Sequence, residues 1–526
     1  MTCTRMHTQA LVIGSGLAGC SAALAMAEKG LAVTLLTSGG ELTGGNSPLA
    51  QGGIVYTGSG DSPRLLEKDI LACGAGYNYL RAVRHIAKNG PASVRELLIG
   101  KAGVPFDAAA GGGLHLTKEG GHSVSRIIHA ADQTGAAIMN AMAGLVRANA
   151  NITVLTRRTA VDLLTSHHQA KLLEFKYQLA NQCAGAYVFN DHERTVETVL
   201  ADFTVLATGG VGQIFLHTTN SRPSIGSALA MAYRAGVKSL NEEFIQFHPT
   251  ALFLREQRRF LISEAMRGEG ARLVNSRGEA FMARHDPRLD LAPRDVVTRA
   301  ILDEMLQTGE DCVYLDATNV ARVRERFPAI AAKCLEIGVD IGVKPIPVVP
   351  AAHYFCGGVL VDERGRTTLE RLYAVGECSC TGLHGANRMA STSLLECLVW
   401  GQGAGQDIAR RVGAGRAAHG RRLKDSIPDW VAPGRDNNED QALIAQDWAT
   451  IRNTMWNYVG IHRTSSRLKR AFEDLRDQNR HLHDFYRETP LSKPIVDLFH
   501  GCQAAYLITL AAMRNKQSIG CHYRID

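Results

Sequence analysis

Four short segments of this chain gather side chains able to hold and transform an anion. LTKEGGHS (116–123) sets Glu119 and His122 about a diglycine, and NEEFIQFHPTAL (241–252) carries Gln246 and His248. SEAMRGEG (263–270) with LAPRD (291–295) brings Ser263, Glu264, Arg267 and Arg294. AAHYFCGGV (351–359) with GLHGANRMASTSLLEC (382–397) brings His353, His384 and Arg388. Two arginines with two histidines suit a dicarboxylate, because the guanidinium fork matches a carboxylate in bidentate fashion. Plainer roles are open to each residue. Glu119 reads equally as a solvated loop carboxylate, His248 as a turn histidine before proline, Arg294 as a helix-end residue acting with Asp295, and Arg388 as a partner of Glu396. Against four coincidences stands the setting, since every segment adjoins a turn rich in Gly, Pro or Asn.

Such loops need a frame, and LVIGSGLAGCSAALAMAEKGLAVTLL (11–36) describes one. It reads as strand, glycine turn, alanine-rich helix and second strand, the form that binds a dinucleotide. Gly14 permits the tight turn, Gly16 the approach of a pyrophosphate, and Gly19 the close packing of helix on strand. The pyrophosphate meets free N–H groups at the helix N-terminus, where the dipole favours negative charge. A secretory signal or membrane span fits poorly, because the apolar run is short, broken by glycines and lacks a basic leader. ALVIGSG (10–16), FTVLATGG (203–210) and LYAVGE (372–377) each run from an apolar strand into a glycine turn, as strands of one parallel sheet do.

The expected architecture is therefore an α/β dinucleotide-binding, Rossmann-like domain with an inserted α+β capping domain and a C-terminal helical domain. Its divisions are 1–240, 241–350, 351–425 and 426–526. The insertion holds the helical text DVVTRAILDEMLQTG and a strand CVYLDA (312–317), and its junction with the first domain is the expected cleft. SIPDWVAPGRDNN (426–438) reads as a linker, residues 442–478 as one helical stretch, and roughly 494–515 as a further helix.

Composition narrows the class. The 526 residues allow two or three domains. A net charge of +7 is mild, and the one basic run (Arg410, Arg411, Arg416, Arg421, Arg422, Lys424) reads as a solvated helix end and linker rather than a nucleic-acid face. The 12 cysteines are dispersed without a CxxC pair, which suits reduced thiols in a cytoplasm rather than a metal site. With no uninterrupted apolar run of spanning length, neither a membrane nor a nucleic-acid partner is expected.

The motifs together resemble the L-aspartate oxidase family of the succinate dehydrogenase/fumarate reductase flavoproteins. GSGLAG, AQGG, HLTKEGGHS, RIIHAAD, QFHPTAL, EAMRGEGA, LAPRD, VPAAHYFCGGV and GLHGANRMAS carry the resemblance from about residue 9 to 520. It implies non-covalent FAD, held by Gly14, Ser15, Gly16, Leu17, Ala18, Gly19, Ser38, Asn46, Ser47, Ala50, Gln51, Gly52, Gly53, Ala207, Thr208, Gly209, Glu377, Ser393 and Leu394. It implies substrate contacts at Gln246, His248, Ser263, His353 and Arg388, with Arg294 and Glu119 catalytic. Relatives with covalent flavin have histidine at the position of Asn46, and asparagine cannot form that bond. Those relatives usually have glutamine where Glu119 stands, and a carboxylate there suits the α-ammonium group of aspartate.

The resemblance also implies oxidation of L-aspartate to iminoaspartate, reoxidation by dioxygen or fumarate, and a product used by quinolinate synthase on the route to NAD, with a transient contact between the two enzymes. A flavoprotein subunit of a succinate or fumarate complex is the alternative enzyme, and a repurposed flavoprotein the alternative of another class. Several positions depart from the family pattern. Thr37–Ser38 ends the second strand without the acidic residue common in dinucleotide folds, Ser227 stands where relatives carry aspartate, Ser263 replaces a threonine, and Thr392 an asparagine.

Overall fold

The computed structural model describes residues 4–253, 260–415, 421–432 and 441–526. At its centre is a seven-stranded sheet. Strand Arg5–Ile13 pairs in parallel with Val33–Leu36 on one side and with Thr195–Leu206 on the other. Ile152–Leu155 extends the first edge, and Leu372–Ala374 joins the second half of Thr195–Leu206, both in parallel. The residues Ala10 to Ile13 are buried, as expected of a strand covered on both faces. The three strand-into-glycine segments thus lie side by side and end at one edge. The antiparallel strands Arg158–Thr165 and Cys183–Asn190, which complete the sheet, carry no glycine turn and were not among the sequence expectations.

Two glycines explain the geometry of the first turn. Gly14 adopts φ 116°, and a side chain there would meet the carbonyl oxygen of Ala207 at 2.1 Å. A side chain on Gly19 would strike Gly14 O at 1.9 Å, so helix Leu17–Ala27 seats directly on the strands. Helix Ser393–Gly413 then crosses Leu17–Ala27 closely, where Gly401 and Gly405 face the Ala18 and Ala22 carbonyls.

A second sheet, antiparallel and four-stranded, runs in the order Ile245–Leu252, Ile346–Phe355, Val313–Asp316, Arg272–Val274. Its own core includes Leu252, Leu273, Phe281, Ile301, Leu315 and Val348. Helix Arg294–Thr308 lies against it, with Thr298 Oγ1 donating to Phe247 O at 3.1 Å.

C-terminal helices Gln441–Tyr458, Ser465–Glu488 and Lys493–Arg514 pack on one another and on Phe215, Phe247 and Phe355. The single helical stretch expected over 442–478 is two helices, broken near Gly460, where the cap of Thr464 starts the second. Lys493–Arg514 passes for a membrane span by length and mean hydropathy, although Asp497, His500 and Gln503 interrupt its apolar residues; here it is largely buried by the neighbouring helices. Of the linker read over 426–438, residues 433–438 lie outside the described residues. The part before them is pinned to the sheet domain, since Arg5 pairs with Asp429 at 3.0 Å and Tyr187 Oη donates to Pro428 O at 2.8 Å. The basic run has acidic partners at Arg410, Arg411, Arg422 and Lys424. Arg416 lies outside the described residues.

Candidate active site

A cleft runs from the glycine turn to the junction of the two sheets. Its inner end is a cavity of about 410 Å³, and a narrower arm of about 130 Å³ passes the turn. Both are lined by Asn46, Ser47, Glu377 and Cys397, which marks the point where they join.

The narrow arm is lined by Gly14, Ser15, Gly16, Leu17, Ala18, Ser38, Ala207, Thr208 and Gly209, and the wide cavity by Ala50, Gln51, Gly52, Gly53, Ser393 and Leu394. Gly19 lies behind the arm and acts in packing. Asn46 bridges the junction: its Oδ1 accepts from Ser221 N at 2.7 Å and Ser221 Oγ at 2.8 Å, while Nδ2 donates to Glu377 Oε2 at 3.4 Å. Glu377 also accepts from Phe355 N at 3.1 Å, and burial pushes its carboxyl up to about 7. Two buried polar atoms facing this cleft, Gln51 Oε1 and Thr159 Oγ1, have no protein partner. An extended ligand with a pyrophosphate waist and hydrogen-bonding groups along its length fits these walls.

The wide cavity receives Glu119, His248, Ser263, Arg294, His353 and Arg388 from segments far apart in sequence. Strand pairing brings the histidines together. His248 is opposite Ala351 across a bulge, and its ring centre lies 5.0 Å from that of His353. Thr250 N donates to His248 Nδ1 at 3.2 Å, so the remaining ring proton sits on Nε2. Burial, with Arg294 next, holds both histidines well below their ordinary range, and they are neutral.

Gln246, expected as a substrate contact, is fully buried and does not line the cavity. Its Oε1 accepts from Arg294 Nη1 at 3.2 Å and Arg388 Nη2 at 3.0 Å, and its Nε2 donates to Asn387 and to Arg388 O. One amide therefore sets both guanidinium groups. Arg388 stacks 4.9 Å from the Tyr354 ring centre, and its Nε has no protein partner. Burial pushes Arg388 down to about 10. Glu396 does not pair with Arg388. It accepts from Tyr354 Oη, Thr381 Oγ1 and His384 Nε2, which puts His384 behind the cavity wall.

Glu119 is buried, and its Oε2 accepts from Ser391 Oγ at 2.5 Å. A solvated loop carboxylate is thereby excluded. Burial, then the nearby Glu264, push its carboxyl above the usual range, while Arg294 and Arg388 oppose them. Room for the two carboxylates depends on glycine. A side chain on Gly52 would lie 2.2 Å from Glu119 Oε1, and one on Gly120 would lie 2.1 Å from Glu264 Oε1. The loop bearing Glu119 is anchored from behind: Arg126, fully buried, pairs with Asp61 at 3.0 Å and Asp69 at 2.6 Å, and Asp69 accepts from Ser123 N and Oγ. His122 serves that anchor, its Nε2 donating to Ala390 O at 3.0 Å, and burial pushes it down to about 4.

Arg294 Nε donates to Glu264 Oε2 at 2.6 Å, and Arg267 lies 3.8 Å from the same oxygen. Burial would raise Glu264, but Arg294 and Arg267 outweigh it and hold the carboxyl below its usual range. Sequence reading placed Glu264 and Arg267 in the right segment without a role. It passed over Ser391 and Tyr354, and nothing in the text MASTS singles out the serine whose backbone takes φ 57° beside Glu119.

Comparison with known proteins identifies the family. Residues 9–394 match the FAD binding domain family. The chain is 45% identical to L-aspartate oxidase 1 of Ralstonia nicotianae, covering 99% of this chain and 96% of that one. It is 43% identical to L-aspartate oxidase of Pseudomonas aeruginosa, with 98% and 95% covered. The chain belongs to the L-aspartate oxidase family. Its cofactor is FAD, and the dinucleotide cleft described above is the place that fits it. Among solved structures, E. coli quinol fumarate reductase superposes with a TM-score of 0.87 at 26% identity, covering 99% of this chain and 92% of that one. Mycobacterium smegmatis Sdh1 gives 0.80 at 28%, covering 99% and 89%. This chain thus shares its fold with a quinol fumarate reductase.

Proposed function

We propose that this chain oxidises L-aspartate to iminoaspartate, and that Glu119 is the group that admits an amino acid. The observation that carries this reading is a buried carboxyl facing two buried arginines in one cavity. Oxidation breaks the Cα–H bond with its electron pair while the nitrogen lone pair closes C=N, so the ammonium must first lose a proton. Glu119, raised by burial, is matched to orient that ammonium and accept the proton. Arg388 and His353 take one carboxylate; His248, through Nε2–H, and Ser263 take the other. Arg294, held by Glu264, relays a proton once the cleft excludes water. FAD, when bound, supplies the two-electron acceptor, and dioxygen or fumarate reoxidises it.

Asn46 has both ends of its amide engaged, which supports a dissociable cofactor. The described cysteines are free, and reduced thiols suit a cytoplasm. Iminoaspartate is short-lived in water, and its consumption by quinolinate synthase on the route to NAD belongs to this reading.

Anaerobic addition of L-aspartate to the FAD-loaded protein tests the assignment. Bleaching of the oxidised flavin band by aspartate and not by succinate is the expected result; bleaching by succinate alone moves the chain to the succinate/fumarate branch. Glu119→Gln should depress aspartate oxidation far more than fumarate reduction, and equal losses would remove the role of Glu119.

A further inference from the structure

Dinucleotide folds commonly bind the adenosine ribose through an acidic residue at the end of the second strand. Here that position reads Thr37–Ser38, with no carboxylate. The narrow arm of the cleft nevertheless contains one. Asp497 lines it together with Lys493, and both come from the first two turns of helix Lys493–Arg514 in the C-terminal helical region. Neighbouring contacts locate them at the strand-end side of the arm. Arg157 N and Arg158 N donate to Gly39 O and Thr37 O at 2.8 and 3.0 Å, Asp191 N donates to Arg157 O, and Asp191 is close enough to Asp497 to raise its carboxyl further. The opposite end, at Glu377 and Asn46, is the one that opens into the substrate cavity.

The pair differs from an ordinary surface i,i+4 bridge. Lys493 holds Asp497 Oδ2, and no described residue donates to Asp497 Oδ1. Thr159, on the facing strand, presents a buried hydroxyl with no partner to the same arm. Ser227 on the adjoining helix adds a short uncharged wall. Burial raises Asp497, so its free acceptor gains from a donor that enters the arm. Helix Lys493–Arg514 is held in place independently, by Arg234 donating to Gln503 at 2.6 Å and by His500 Nε2 donating to Val161 O at 3.0 Å.

Resting on the FAD assignment, we infer that Asp497, with Lys493 and Thr159, binds the adenosine half of the cofactor, the C-terminal helix supplying the carboxylate that the second strand lacks. The helical region is then part of the cofactor site as well as a packing partner.

The test is titration of the apo-protein with FAD, followed by flavin fluorescence, with ADP as a competing probe for the adenosine half. Asp497→Ala and, as a smaller change, Thr159→Val should each weaken FAD binding, by about tenfold and about fivefold. ADP competition should weaken by the same factors, while the melting temperature of the apo-protein stays near that of the wild type. Unchanged FAD affinity in both variants, or ADP competing equally well in wild type and variants, overturns the inference. A wild-type protein that binds no FAD overturns the cofactor reading, and this inference with it.

Discussion

The dinucleotide arm and the substrate cavity meet at Glu377, yet they are built on opposite principles. Most of the arm is backbone: a turn, a helix N-terminus and strand ends within residues 11–38, closed by Ala207 to Gly209. The cavity is walled by polar and ionisable side chains from segments up to hundreds of residues apart, held by groups that never reach it, such as Gln246, Arg126 and Glu396. A backbone site tolerates side-chain change but not a misplaced Cβ. A site of buried charges tolerates neither loss nor rearrangement, because each group left unpaired keeps its full desolvation cost.

Breaking the cavity should give the largest effect. Arg388→Ala removes a buried guanidinium, and a loss of about 3–5 kcal/mol in transition-state binding is expected, a hundredfold or more in kcat/KM. FAD affinity should stay within twofold; a comparable loss of FAD would mean that the two regions are not separable. Breaking the arm calls for the opposite kind of change. Gly14→Ala puts a methyl against Ala207 O at a positive φ, and should cost about 2–4 kcal/mol of stability together with FAD binding. Normal melting and normal FAD uptake would show that the turn yields more readily than its contacts imply.

Glu377 at the shared junction sharpens the comparison through pH. Its native value of about 7 exceeds the ordinary 4.5, so the native state holds its proton more tightly than the unfolded chain. The associated stability is complete below about 4.5 and is lost as pH rises toward about 7. Apo Glu377→Gln should therefore lose about 3 kcal/mol less than wild type between pH 5 and 8, measured by denaturant melts. Parallel curves would remove the buried-proton account.

A smaller effect is expected at a contact that lines neither the arm nor the cavity. Asp132 Oδ2 accepts from Ala329 N and Ile330 N at 2.9 and 3.0 Å, capping helix Pro328–Leu335. Asp132→Ala should cost about 1 kcal/mol and raise KM for aspartate more than it lowers kcat. An effect on kcat alone would mean that the cap does not shape the cavity wall at Lys333.

The glycine turn, the three strands that end beside it, and the four anion-binding segments are all legible in the text, because each depends on residues adjacent in sequence. So are the helices 295–309 and 494–515, whose periodicity is local. The break near Gly460 is legible only in part: Gly460 and the Thr464 cap are local signals, but helical periodicity on both sides of them let the two helices read as one stretch. Gln246 shows the same limit within the site. Its segment reads as functional, but only the pairing of Ile245–Leu252 with Ile346–Phe355 turns it away from the cavity and toward both arginines.

What the sequence alone determined was the inventory: a dinucleotide turn, two arginines, two histidines and a carboxylate at position 119 in place of an amide. Tertiary structure decided which of these groups are charged and which touch the cavity. Burial raises Glu119 and neutralises His248 and His353, while two arginines hold the nearby Glu264 below its usual range. A pKa depends on every charge and every lost water molecule around a group, and those neighbours are assembled only when segments distant in the chain fold onto one another.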